Sequence, residues 1–251
     1  MFSYLKFEPS PALKHYVDFY WMLQTGSSYP PVCVPLFADT STDIFANLGS
    51  SPAVFNQNCL MLPGRLYVGG TSTCAGFVNS RPNSTFIGIR FKPFGLHTIY
   101  KFPLVELVNS IINFHDRELL LLLDADAGLA ARLDAYFLSK LTLPVMPAPI
   151  AKVVLGAKGL ISVDQLAEKC NVSNRTLERQ AYAGLGIGPK EFISIVRFQT
   201  VLKALQKMRT NGNMMQVAYQ AGYYDPAHFT REVKKYAGLT PSLIFPGPRF
   251  P

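Results

Sequence analysis

Residues 214–241 read MMQVAYQAGYYDPAHFTREVKKYAGLTP. Val217 and Ala218 stand at the centre of a short helical pattern, and Gly222-Tyr223-Tyr224 makes a turn. Asp225 has the side chain of an N-cap, and Pro226 fits the first helical position, where its missing N–H costs nothing. Phe229, Val233 and Tyr236 then recur at the spacing of one helix face. Gly238 ends that helix, and Thr240-Pro241 opens another. The stretch reads as a helix–turn–helix.

Working outward, the same plan stands earlier in the chain. Leu166-Ala167 precedes Val217-Ala218 by 51 residues, while Ser173, Arg179 and Pro189 precede Asp225, Arg231 and Pro241 by 52, so the later copy has one more residue in its turn. Ser162 and Gln165 form a capping box that opens the earlier unit. Its first helix turns Val163, Leu166, Ala167 and Cys170 inward, Asn171-Val172 makes the turn, and Ser173 caps the second helix. Leu177 faces inward there, with Tyr182 expected as its partner rather than Ala181. Between the units, Pro189 opens a long helix to about Lys207, with an apolar stripe of Phe192, Ile195, Val196, Leu202 and Leu205. Asn211-Gly212-Asn213 is expected to end it.

Charge follows the same division. The 251 residues carry a net charge of +8, with 24 Lys/Arg against 16 Asp/Glu. Residues 1–148 hold ten of each sign, so the whole excess lies in residues 149–251. A basic region beside a neutral one points to a polyanionic partner for the basic one. Pro144, Pro147 and Pro149 cluster where the charge changes, and prolines interrupt both helix and sheet. The expected domains are therefore 1–143 and 150–251, joined by a linker at 144–149.

The N-terminal domain reads as α+β. Leu13, Tyr16, Val17, Tyr20 and Trp21 are spaced for one helix face. Short apolar runs at 32–36, 43–47, 53–56, 66–68, 76–79 and 85–91 alternate with Gly, Pro, Asn and Ser, the pattern of a strand-rich sandwich or barrel. Helices are expected over about 103–112, 117–122 and 128–141, the last offering one route to a homodimer. The cysteines, Cys33, Cys59, Cys74 and Cys170, have no C-x-x-C spacing, which fits a reducing compartment. No signal core or membrane-length apolar run is present, so a cytoplasmic protein with no membrane partner is expected.

Two helix–turn–helix units on a basic domain suit double-stranded DNA. The first side chains of a second helix reach base edges in the major groove, and free N–H groups at a helix N-terminus favour phosphate. Arg175, Glu178 and Arg179 share one face opposite Leu177; Arg pairs bidentately with guanine, and Glu accepts from cytosine. Thr230 and Arg231 stand at the equivalent places in the second unit, with Pro226 and Ala227 one turn earlier for apolar contact. Ser173, Asn174, Thr176, His228, Lys234 and Lys235 are candidates for phosphate. With the long helix as a strut, helices 173–182 and 225–236 are expected to enter successive major grooves.

These residues resemble the DNA-binding domain of the AraC/XylS family of bacterial transcription regulators. The likeness covers about 152–243 and is sharpest at Val217-Ala218, Gly222-Tyr223, Asp225, Phe229, Arg231, Lys234, Gly238, Thr240 and Pro241. It implies a sequence-specific regulator, an activator, working with RNA polymerase. It also implies base contacts from Arg175, Glu178 and Arg179 in one unit and Pro226, Ala227, Thr230 and Arg231 in the other. Departures are Asn171 where Gly is common, Ala181 where an aromatic is usual, and the apolar Pro226-Ala227. The stretches Pro11-Ala12-Leu13 through Tyr20-Trp21, Asp43 to Asn47, and Gly88 through Gly95 resemble a domain fused to such regulators. Sugar-responsive members carry a cupin-like barrel there, which implies a small-molecule effector; Trp21, Arg90, Phe91 and Phe94 are the candidate pocket.

Two other readings compete. One is a redox sensor acting through Cys33, Cys59 or Cys74. The other is a cupin-like metal enzyme, disfavoured because His15, His97 and His115 are scattered and no H-x-H occurs. No P-loop or G-x-S-x-G appears, so neither a cofactor nor catalysis is expected.

Overall fold

The computed structural model describes residues 2–123, 128–141, 149–207 and 214–244. Its N-terminal half is built on strands β1 (Phe2–Phe7), β2 (Val17–Thr25), β3 (Val32–Leu36), β4 (Thr42–Asn47), β5 (Ala53–Phe55), β6 (Cys59–Met61), β7 (Arg65–Gly69), β8 (Gly76–Ser80), β9 (Thr85–Phe91) and β10 (Ile111–Phe114). They form a six-stranded sheet, β1-β2-β9-β4-β7-β10, and a four-stranded one, β3-β8-β5-β6. Every pairing is antiparallel.

Alternation along the strands divides the large sheet into two faces. One face presents Phe45, Tyr67 and Phe86 to Phe55 and Met61 of the smaller sheet. The other presents Ile44, Ala46, Leu66, Val68, Ile87, Ile89 and Phe91 to helices α1 (Gly95–Tyr100), α2 (Arg117–Leu123) and α3 (Leu129–Lys140). Phe137 of α3 is fully buried there, edge-on to Phe91 at 5.6 Å. Burial of one such ring contributes roughly 2–3 kcal/mol.

Residues 13–21 are not a helix. Turns closed by Leu13 N–H to Ser10 O and Tyr16 N–H to Leu13 O lead into β2. The spacing of Leu13, Tyr16 and Val17 fits such a turn as well as a helix, and β2 then pairs with β9 from Val17 on, with an irregularity before Phe19. The helix expected at 103–112 shrinks to a single 3-10 turn, Leu104–Leu107, before β10 pairs with β7.

The C-terminal half is helical: α4 (Pro149–Gly156), α5 (Val163–Lys169), α6 (Asn174–Leu185), α7 (Pro189–Lys207), α8 (Met214–Gln220), α9 (Pro226–Ala237) and α10 (Pro241–Ile244). The expected linker lies outside the described residues except for Pro149, which opens α4; the Asn211-Gly212-Asn213 break also lies outside. Helix α7 buries residues nearly all round, including Phe192, Ile195, Phe198, Val201 and Leu205, because both helix–turn–helix units and α4 pack on it. Ser162 and Gln165 make the capping box, and Asn171 adopts a left-handed φ of 53° at the turn.

Ala181, not Tyr182, faces inward. Ala181 lies one turn beyond Leu177 and is fully buried, whereas Tyr182 is rotated onto the exposed side. Room on this side of α6 is taken from the other domain. The Phe94 ring lies so close to Gly184 that a Cβ there would stand 2.0 Å from it. Phe94 also meets Phe192 edge-on at 6.3 Å and belongs to the C-terminal core. Its φ of 71° is unusual for a bulky residue, and the packing on both sides holds it there.

Candidate nucleic-acid interface

Helices α6 and α9 start alike. The Ser173 hydroxyl accepts from the Thr176 N–H at 3.2 Å, and the Asp225 carboxylate accepts from the Ala227 N–H at 2.9 Å. Both helices end on a left-handed glycine, Gly186 and Gly238. Each buries one face, Leu177, Ala181 and Leu185 in α6 and Phe229, Val233 and Tyr236 in α9. The opposite faces are left in solvent.

Arg175, Glu178 and Arg179 are exposed on α6, and none makes a side-chain hydrogen bond or ion pair among the described residues. On α9, Pro226, Ala227, Thr230 and Arg231 are exposed. Thr230 donates its hydroxyl back to the Pro226 carbonyl at 2.9 Å. Arg231 stands 3.8 Å from Asp225, with most of its side chain in solvent. That pair contributes little to stability, so its guanidinium is cheap to redirect.

The phosphate candidates are less uniform. Ser173 is occupied as a cap, and its hydroxyl donates to Thr176 Oγ1 at 3.1 Å. Asn174 donates to Asp164 at 2.8 Å, which ties the start of α6 to α5. His228 lies 3.6 Å from Glu232. Lys235 turns back to Glu191 on α7 at 2.6 Å, over the Tyr236 ring, whereas Lys234 is exposed with no ion pair among the described residues.

A shielded network sets the second unit on the strut. Tyr223 in the turn donates its hydroxyl to Glu232 at 2.6 Å. Arg197 of α7 stacks over the Tyr223 ring at 5.1 Å and reaches Glu232 at 3.9 Å. Burial, then the neighbouring Glu232 carboxylate, pushes the Tyr223 hydroxyl far above its ordinary range, so it remains a donor. Neither Arg197 nor Glu232 stood out in the sequence; their separation of 35 positions leaves no local pattern.

The four expected pocket residues separate. Trp21 and Arg90 share the inner face of the large sheet, Phe91 points from β9 to the opposite face, and Phe94 enters the C-terminal core. The Trp21 indole lies over Gly88, where a Cβ would meet its ring at 2.6 Å. Trp21 donates to one Asp43 oxygen at 3.1 Å, and Arg90 contacts the other at 2.8 Å while also pairing with Asp39. Burial pushes the Asp43 carboxyl up to about 7, opposed by the Trp21 N–H and reinforced by Asp18. Asp39 and Asp43 are residues the sequence reading did not single out.

Cys59 donates its thiol to the Ile111 carbonyl at 3.3 Å, and burial pushes its pKa up, away from the reactive thiolate. Cys33 and Cys74 are exposed. Among the described residues no helix is long and apolar enough to cross a membrane.

Residues 166–245 match the family model of a helix-turn-helix domain. The C-terminal region is an AraC-type helix-turn-helix domain. Residues 5–113 match a domain of unknown function (DUF6597), so the AraC-type domain is joined here to that domain. Over 80 residues the chain is 30% identical to an uncharacterized HTH-type transcriptional regulator of Haemophilus influenzae. The match covers 32% of this chain and 26% of that relative. The helix-turn-helix domain and the likeness to a relative named as a transcriptional regulator support a role in DNA-binding transcription regulation.

Proposed function

We propose that the chain is a cytoplasmic, sequence-specific activator of transcription that reads DNA with both halves of its AraC-type domain and works with RNA polymerase. The supporting observation is the pairing of Arg179 with Arg231: two exposed guanidinium groups at equivalent places on two similarly capped helices. Helices α6 and α9 enter successive major grooves about 34 Å apart. Arg175, Glu178 and Arg179 read bases in the first; Arg231 and Thr230 do so in the second, with Pro226 and Ala227 against thymine methyls. Lys234 and the N-terminus of α6 hold phosphate, and Lys235 joins them when it leaves Glu191.

The domain division at 144–149 and a sensing or dimerising role for residues 1–143 belong to the same reading. Of the residues expected to line an effector pocket, Trp21 and Arg90 share one face and meet at Asp43. A duplex selected from random sequence by the full chain tests the proposal. The expected result is a defined sequence bound at least about a thousandfold more tightly than random DNA. Equal affinity for both, with a steep salt dependence alone, would reduce the protein to a general DNA binder.

A further inference from the structure

The last four carbonyls of any helix lack partners within it. In both reading helices the N-terminal domain supplies one. Thr71, just after β7, donates its hydroxyl to the carbonyl of Leu185, the last residue of α6, at 2.8 Å. Ala38, between β3 and β4, donates its backbone N–H to the carbonyl of Tyr236, the last but one of α9, at 2.8 Å. Gln199 of the strut donates in turn to the Ala38 carbonyl.

The two donor segments are themselves joined. Asp39 and Ser72 exchange both backbone hydrogen bonds, each 2.9 Å. Asn109 donates its backbone N–H to Thr71 O at 2.9 Å, and the Asp39 carboxylate is paired with Arg90. Both anchor points are shielded from water: Ala38 is fully buried and Thr71 is 1% exposed. Hydrogen bonds in such surroundings resist exchange with solvent better than surface ones.

We infer that Thr71 and the Ala38–Asp39 segment are positioning elements for DNA recognition: one splint from the N-terminal domain grips the C-terminal ends of both reading helices and fixes their separation. The strut ties α6 and α9 together through side-chain packing and, on the α9 side, through Arg197–Glu232 and Lys235–Glu191. The splint adds a second tie, itself joined to the strut through Gln199, so the assembly holds one spacing between the two reading heads. The inference rests on the proposal that both helices read DNA.

The test uses the full chain and the duplex it selects from random sequence. The separation between the two half-sites is then changed by one and two base pairs. For the unaltered protein, about a tenfold loss of affinity per base pair is expected, the scale of one mismatched position. In Thr71→Val, which removes the hydroxyl at nearly constant shape, and in Gln199→Leu, the loss should shrink to about threefold or less. Thr71→Ser, which keeps the hydroxyl, should retain the full penalty. A general loss of folded protein lowers affinity for every spacing alike and leaves the penalty unchanged. An unchanged penalty in both variants, or no penalty in the unaltered protein, overturns the inference. Selection of no preferred duplex would instead overturn the DNA-reading proposal on which it rests.

Discussion

The Phe94 ring lies directly on Gly184, so that the α6 helix of one domain and the turn before α1 of the other share a single packed surface. Phe94 has left the sheet core that its neighbour Phe91 fills, and Gly184 leaves the helix surface bare where the ring arrives.

Gly184→Ala should therefore destabilise the whole chain by about 1–3 kcal/mol, the usual cost of overpacking. The added methyl meets an aromatic ring locked against Phe192, not a flexible tip. The same substitution in a Phe94→Leu background should cost less, and denaturant unfolding of the four proteins gives the coupling directly. Equal costs in both backgrounds would contradict the packing.

Glu232 accepts from Tyr223 and faces Arg197, with 15% of its side chain exposed. Glu232→Ala leaves a shielded guanidinium and hydroxyl without their acceptor, and a loss of about 3 kcal/mol is expected. Glu232→Gln retains an acceptor and should lose less. Thermal unfolding of both variants orders them.

Asp43 gives the N-terminal domain a pH signature. Its carboxyl titrates at about 7 in the folded chain, against an ordinary value of 3.8, so the folded state holds the proton more tightly than the unfolded one. The group's stabilising contribution is complete below about pH 4, falls as pH rises from there to 7, and is gone above 7. Taken alone the displacement amounts to at most roughly 4 kcal/mol, and the Arg90 contact reduces it. Denaturant unfolding at pH 5 and pH 8 should show a smaller difference in Asp43→Asn than in the unaltered protein.

The two reading helices should also divide their work. Arg179→Ala removes one of the three polar side chains proposed to read bases from α6, and it should lower affinity for the selected duplex much more than for random DNA. Lys234→Ala should weaken both about equally and reduce the slope of log affinity against log salt by about one. Titrations across salt concentration separate the two effects.

Much of this arrangement was legible in the sequence because it is carried by local chemistry. Ser162, Ser173 and Asp225 cap their helices as their side chains allow, and Gly186 and Gly238 end them. Helix α7 and strands β3 and β9 fall on the residues their apolar patterns mark. Strand β1 carries no clear sequence signal because its exposure does not alternate cleanly along a sheet edge. Residues 13–17 misled because a turn and a helix place Leu13, Tyr16 and Val17 on one side equally well.

Ala181 shows a different failure. Local spacing gives the space beside a small residue to its own neighbour Tyr182, whereas the Phe94 ring, distant in sequence, occupies the adjoining surface at Gly184. The ties from Ala38 and Thr71 to the ends of α9 and α6 are hidden for a related reason. A backbone N–H and a threonine hydroxyl reaching distant carbonyls leave no residue pattern to read. Of the expected pocket residues, Arg90 and Phe91 are adjacent in sequence, but alternation along β9 sends them to opposite faces.

The central claim, that both helix-turn-helix units read DNA through their exposed arginines, is met most directly by one measurement. Affinity of the full chain for its selected duplex is compared with that of Arg179→Ala and of Arg231→Ala, each shown to unfold at the parent's temperature. The account predicts a loss of roughly tenfold to a hundredfold in each variant, with the greater loss of sequence preference in Arg179→Ala. Unchanged affinity in both variants would contradict it.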